Sequence, residues 1–168
     1  MAAIYLLRHA EAVPHRDPRY RNDADRPLTP EGAALMRKAA SGMRKLGLRF
    51  DRILTSPFAR ARETAAIVAE VLEQQDRVTG EETLASGARW DKVKKALASG
   101  PAKHSASVLL VGHEPDLSKI AADLIDAGRT SIIFKKGTLA SIAVETIPPK
   151  EPGSLAFLVT IDQLASIG

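Results

Sequence analysis

The chain has 168 residues, of which 45% are hydrophobic and 26% charged, with a formal net charge of +4 and no cysteine. That length predicts one domain over residues 1–168 with a real core, and the missing cysteines exclude disulfides and thiolate metal sites. The basic residues alternate with acids (Arg16, Arg19, Arg21 and Arg26 among Asp17, Asp23 and Asp25) and aromatics make up only 4%, so no nucleic-acid partner is expected and the mild positive balance suits an acidic substrate.

The first apolar run, residues 4–7, predicts a short buried strand that stops at Arg8 and His9. It lacks the charged n-region of a signal peptide. No stretch approaches the ~20 apolar residues of a membrane span, so a cytoplasmic protein without a membrane partner is expected. Residues 13–28 form a long polar loop with Pro14, Pro18 and Pro27, a length that marks functional or mobile loops. Thr29-Pro30-Glu31 opens a helix with a cap, a first-position proline and an early acid. Leu35, Ala39, Met43 and Leu46 recur at helical spacing until Gly47.

A second strand is predicted over residues 51–55. Ser56-Pro57 reads as the cap and first turn of a helix over 57–74 that buries Ala61, Ala65, Val68 and Leu72. Residues 78–84 are ambiguous, and Trp90, Val93 and Leu97 mark another helix, ended by Gly100-Pro101. Residues 107–111 are a continuous apolar run, the signature of a central parallel strand. Leu117, Ile120, Ala121, Leu124 and Ile125 stripe the next helix, closed by Gly128. Residues 132–134, 139–146 and 155–161 then read as strands of an antiparallel tail at the sheet edge. The expected fold is α/β, three layers around a mostly parallel central sheet.

Three of these strands deliver chemistry. The first ends on Arg8 and His9, the second leads to Arg60, and the 107–111 strand leads to His113. Ligands of open α/β sheets collect at the carboxyl ends of parallel strands. Alone, a histidine after a strand is more often a satisfied polar residue, and a lone arginine is usually solvated. Arg60 is the informative exception. A cation near a helix N-terminus is unfavourable by ~0.3–1 kcal/mol, unless an anion sits there to be bound by the free N–H groups. Together the four residues predict an anion pocket. Guanidinium forks suit phosphate oxygens, and an imidazole with an ordinary pKa of ~6.5 is available as a nucleophile near neutrality.

Four stretches carry a family resemblance: Leu7-Arg8-His9-Ala10-Glu11-Ala12, Pro27-Leu28-Thr29-Pro30-Glu31-Gly32, Thr55-Ser56-Pro57-Phe58-Ala59-Arg60-Ala61-Arg62-Glu63-Thr64-Ala65, and Val111-Gly112-His113-Glu114-Pro115. In order and spacing the chain resembles the histidine phosphatase superfamily, the phosphoglycerate-mutase-like group, and its short length points to the SixA-type phosphohistidine phosphatases. The resemblance implies a phosphoglycerate-mutase-like fold and a reaction without cofactor or metal. His9 would attack phosphorus and form a phospho-enzyme that water then hydrolyses. Arg8 and Arg60 would bind the phosphoryl group, and His113 would donate to its oxygens. The implied partner is a phosphorylated protein, such as a His-containing phosphotransfer domain, or a small phosphorylated substrate.

The family's larger phosphatases place a carboxylic acid after the third strand to protonate the leaving oxygen. The equivalent stretch here is Leu84-Ala85-Ser86-Gly87, with Ser86 where a Glu is expected. An alkoxide leaving group, with a conjugate acid near the ~15.7 of water, needs such a donor. Imidazole, at ~6.5, needs far less help, so the departure favours phosphohistidine. Glu11 and Glu82 are fallback donors, though each also reads as solvated. A small-molecule phosphomonoesterase and a non-catalytic phospho-ligand module stay open as alternatives. A zinc site from His9, Glu11 and His113 is possible on ligand count, but Arg8 would repel the metal. Thr64 reads as a packed helical residue or a prop for Arg60, and His15 and His104 as residues of polar loops.

Overall fold

In the computed structural model, residues 1–99, 106–128 and 132–168 are described. The strands are β1 (Ala2–Arg8), β2 (Arg52–Thr55), β3 (Val78–Gly80), β4 (Ser107–Gly112), β5 (Leu139–Val144) and β6 (Ser154–Val159). They form one six-stranded sheet in the order β3-β2-β4-β1-β5-β6. The first four run parallel, and β5 and β6 join antiparallel at one edge. The α/β class and the mostly parallel sheet agree with the sequence pattern. β4 is buried from Val108 to Gly112, as a central parallel strand with both faces covered must be.

The helices are α1 (Pro30–Lys45), α2 (Ala59–Leu72), α3 (Trp90–Ala98), α4 (Asp116–Leu124) and α5 (Ile161–Ile167). Strand alternation divides the core in two. Leu7, Ile53, Leu109, Val111 and Leu139 face Met36, Met43, Val68 and Leu164 of α1, α2 and α5. Ile4, Leu6, Leu54, Val108 and Leu110 face Val93, Leu97, Leu117 and Ile120 of α3 and α4. Full burial of each such side chain is worth ~1.5–3 kcal/mol, so the strand ends that carry the polar residues are anchored on both sides. No helix among the described residues is long and apolar enough to cross a membrane.

Local chemistry ties α1 to the first strand end. Thr29 Oγ1 accepts the Gly32 N–H at 2.9 Å, and Pro30 fills the first turn. The Thr29 N–H donates to the Glu11 carbonyl, and a Cβ on Gly32 would lie 2.3 Å from that same oxygen. Only glycine allows this approach.

The structure corrects several element boundaries. Residues 132–134 are not a strand. They pair with no strand, and the Phe134 carbonyl accepts a hydrogen bond from Arg8 Nη1 at the end of β1. β5 stops at Val144 and β6 at Val159, and the chain then turns into α5. Thr160 and Gln163 close a capping box there, and Leu164 packs on α1 where Gly42 leaves room for its backbone. The ambiguous 78–84 segment splits into β3 and a 3-10 turn at Glu82–Leu84. α2 starts at Ala59 with Phe58 at the cap position, so Ser56 does not cap it. Gly100, Pro101 and His104 lie outside the described residues.

Candidate active site

Register brings the two histidines together. β1 and β4 pair in parallel with Arg8 opposite Gly112, so His9 and His113, the next residues, leave the sheet side by side. Their ring centroids are 5.3 Å apart. The His9 N–H donates to the Gly112 carbonyl at 3.1 Å, and Ser56, leaving β2, donates its N–H to Val111 at 3.0 Å. From Ser56 the chain passes through Pro57 and Phe58 into α2, whose first turn carries Arg60. All four residues singled out in the sequence thus meet in one cleft of about 410 Å³.

His9 is set up as a free base. Its Nδ1 lies 2.7 Å from the Ala10 carbonyl and must donate to it, which leaves the lone pair on Nε2. Arg60 Nε–H donates to that Nε2 at 3.3 Å, which fits only the unprotonated atom. Burial pushes the His9 pKa down to about 3. The bond to Ala10 opposes this, and repulsion from a charged His113, from Arg60 and from Arg8 adds smaller contributions in the same downward direction as burial.

His113 has the opposite arrangement. Its Nε2 lies 2.7 Å from Ser56 Oγ, and that oxygen also accepts the Phe58 N–H at 3.2 Å. The hydroxyl can donate to His113 Nε2 while its oxygen accepts the Phe58 N–H, and in that arrangement the imidazole hydrogen sits on Nδ1. That buried Nδ1 has no partner among the described residues. Burial, followed by Arg60, lowers the His113 pKa to about 4. One imidazole whose Nε2 lone pair meets only the Arg60 N–H, beside a second whose Nδ1 is unpartnered among the described residues, can attack a phosphoryl group from one ring and offer a hydrogen bond to its oxygens from the other.

The arginines supply charge. Arg60 is only 5% exposed, with its Cζ 5.1 Å from the Phe58 ring centroid. Its Nη1 donates to the Asp23 carbonyl at 2.7 Å and its Nη2 to Asp23 Oδ2 at 2.9 Å. Arg8 Nη1 donates to Phe134 at 2.8 Å, while its buried Nε has no partner among the described residues. Burial lowers both guanidinium pKa values from their ordinary level, opposed by Glu114 and Glu11 at Arg8 and by Asp23 at Arg60.

The remaining candidates separate cleanly. Thr64 Oγ1 donates to the Arg60 carbonyl at 2.7 Å and accepts the Ala10 N–H at 3.1 Å, so it pins the turn after His9 to α2 and leaves the guanidinium alone. Ser86 lines the cleft. Glu11 pairs with Lys136 at the rim, Glu114 is bonded to the Ser118 N–H and hydroxyl, and Glu82 lies in the 3-10 turn. Arg19 is exposed and pairs with Asp17, and Arg16 and Arg21 are exposed. His15 sits at the rim, 3.5 Å from Asp23. Among the described residues no three His, Cys, Asp or Glu side chains gather as a metal site. Sequence reasoning missed Ser56 as the partner of His113 and Asp23 as the partner of Arg60.

A model of the histidine phosphatase superfamily (branch 1) matches residues 4–84. An uncharacterized protein of Picosynechococcus is 38% identical over 128 residues, spanning 76% of this chain and 74% of the relative. The phosphohistidine phosphatase SixA of Escherichia coli is 26% identical over 142 residues, spanning 84% and 85%. A solved protein histidine phosphatase SixA complexed with tungstate superposes with a TM-score of 0.81 at 24% identity, covering 96% of this chain and 99% of that one. A phosphoglycerate mutase of Bacillus anthracis shares the fold, with a TM-score of 0.69 at 15% identity over 99% and 96%. By motifs, fold and relatives, the chain belongs to the histidine phosphatase superfamily and is similar to its SixA-type members.

Proposed function

We propose that the protein is a phosphohistidine phosphatase that works through a covalent intermediate on His9 and needs no metal. The observation that carries this reading is the hydrogen-bond state of His9, whose Nε2 is unprotonated and faces Arg60. The phosphoryl group docks against Arg8, Arg60 and the Nδ1–H of His113. Solvent protonates the far ring nitrogen of the substrate imidazole, and His9 Nε2 then forms a bond to phosphorus as the N–P bond breaks, its electron pair returning to the near nitrogen so that imidazole departs neutral. A water molecule then attacks phosphorus, the Nε2–P bond breaks with its electron pair returning to Nε2, and the water's proton passes to solvent. Two guanidinium groups supply the positive charge that a metal would otherwise bring.

Ser86 on the cleft wall supports the choice of substrate. The carboxylates at the rim are engaged elsewhere, Glu11 with Lys136 and Glu114 with Ser118. A leaving group that requires a strong acid is poorly served, and imidazole is well served. The substrate is phosphohistidine on a cytoplasmic signalling protein, of the kind carried by a His-containing phosphotransfer domain. The test is to mix the protein with phosphoimidazole, quench in alkali, where the N–P bond survives, and locate the phosphoryl group by mass spectrometry. Phosphate on His9, with a rate unchanged by EDTA, is the expected result. Turnover without a labelled His9, or EDTA inhibition reversed by zinc or magnesium, overturns the reading.

A further inference from the structure

The loop over residues 13–28 contributes no atom to the reaction proposed above, yet it reaches the most buried cation of the cleft. A guanidinium has two forked edges. The end edge consists of Nη1 and Nη2, and the side edge of Nε and Nη2. Asp23 holds the end edge with both its carbonyl and its carboxylate, at 2.7 and 2.9 Å. The Arg60 Nε–H meanwhile points at His9 Nε2, so the side edge faces the nucleophile. A phosphoryl group presented to His9 meets that edge as a two-pronged fork.

Asp23 is itself anchored. Arg26 donates Nε to Asp23 Oδ1 at 2.8 Å, and its Nη2 lies 2.7 Å from the same oxygen. Arg26 Nη1 in turn donates to the Val13 carbonyl. Asn22 Oδ1 accepts the Ala24 N–H at 3.2 Å, which fixes the turn that carries Asp23. Burial pushes the Asp23 carboxyl up, but the hydrogen bonds from Arg26 and Arg60 outweigh it and hold the group below its ordinary value, as the anion. A continuous polar chain runs from Val13 through Arg26, Asp23 and Arg60 to His9.

We propose that Asp23 is a positioning residue: by gripping the end edge of Arg60, it turns the side edge toward His9 as a ready fork for the phosphoryl group. This rests on the functional reading above for the identity of the ligand. The rival account makes Asp23 a plug that an incoming anion must displace. The two differ in sign. Losing a plug tightens anion binding, whereas losing a clamp loosens it.

The experiment compares wild type, Asp23→Ala, Asp23→Asn, Arg60→Ala and the Asp23→Ala/Arg60→Ala double variant. The readouts are vanadate and inorganic phosphate affinity by NMR titration, kcat and KM on phosphoimidazole, and the nitrogen-15 signal of the Arg60 Nε–H. A clamp predicts that Asp23→Ala weakens vanadate binding and lowers kcat by about 10–100-fold, the scale of a misplaced reacting group. Asp23→Asn, whose amide oxygen still accepts from Nη2, keeps part of the activity. The Arg60 Nε–H signal, protected in wild type, exchanges with solvent in Asp23→Ala, and the Asp23 substitution has no further effect once Arg60 is gone. Tighter vanadate binding in Asp23→Ala, an unchanged Nε–H signal, or an equal loss in the Arg60→Ala background overturns the proposal. If wild type binds vanadate but hydrolyses no phosphoramidate, the functional reading fails while the vanadate affinities still decide the role of Asp23.

Discussion

The cleft is built by two regions that hold their side chains in different ways. Arg8, His9 and His113 sit on the ends of β1 and β4, strands paired residue by residue and buried between two helical layers. Asp23, Arg26 and His15 sit on a loop tied down by the Ala12–Leu28 bridge, the Val13 N–H bond to Pro27 and the ion pairs of Asp23. Moving a strand end forfeits several buried side chains at ~1.5–3 kcal/mol each. The loop is held instead by a few backbone bonds and by the pairs of Asp23, whose side chain stays about a third exposed although the side chains of Arg60 and Arg26 are largely buried. In the proposed reaction, three of the four residues that meet the phosphoryl group stand on strand ends packed on both faces, and the residue proposed to orient Arg60 stands on the loop. This division predicts graded losses.

The largest is at His9. His9→Ala abolishes the phospho-enzyme and lowers turnover by about 10⁴-fold or more, the scale for a lost nucleophile. It still binds vanadate, since Arg8, Arg60 and His113 are untouched. Substantial residual turnover in this variant breaks the strand-borne half of the comparison. Next come Arg8→Ala and Arg60→Ala, each expected to lower kcat by about 10²–10³-fold, as for removal of one charge-stabilising donor. An effect confined to KM would show that the arginine only recruits substrate.

Ser56→Ala is smaller. Without the hydroxyl, nothing reserves His113 Nε2 as an acceptor, and the imidazole hydrogen divides between both nitrogens. A fall in kcat of about 10-fold is expected from one neutral hydrogen bond of ~0.5–1.5 kcal/mol. Nitrogen-15 NMR should show His113 moving from the Nδ1–H form to a mixture, and Ser56→Thr should restore both. An unaltered tautomer in Ser56→Ala contradicts the assignment.

The last expectation concerns folding stability against pH, read separately from turnover. The pKa of His9 is about 3 and that of His113 about 4 in the fold, against ~6.5 unfolded. The unfolded chain therefore binds more protons across this window. The stabilising contribution is complete above pH ~6.5 and declines as pH falls toward 4 and then 3. Urea melts of wild type at pH 7 and pH 5 should show the loss, and His9→Asn should flatten it. An equal slope in both proteins would mean that His9 is not held neutral by burial.

Much of the strand-borne half was legible in the sequence. Short apolar runs ending in Arg, His and Gly leave few alternatives for what lies at a strand end, and the parallel sheet follows from their alternation with helical patterns. The loop-borne half was not. Asp23 stands among arginines and reads as one of a solvated set, and nothing local reports that its partner is 37 residues away. Ser56 before Pro57 reads as a helix cap. It does accept the Phe58 N–H as a cap-like group would, but the bond that matters reaches His113, 57 residues on. Ile132 and Phe134 are buried while Ile133 is 72% exposed, an alternation that imitates a strand in a segment that pairs with none. α5 hid behind the apolar run of β6, although Thr160 and Gln163 held the capping signal.

The central claim is a phosphatase matched to a nitrogen leaving group, and the rate dependence on leaving-group basicity tests it most directly. Phosphoimidazole, p-nitrophenyl phosphate and a series of aryl and alkyl phosphates of rising leaving-group pKa should be compared under conditions where chemistry limits the rate. The account predicts a steep fall along the ester series and hydrolysis of phosphoimidazole faster than that of alkyl phosphates by at least the ~10²–10⁴-fold that general acid catalysis supplies. A flat dependence, with alkyl phosphates turned over as fast as phosphoimidazole, would mean that the cleft holds a proton donor and would contradict it.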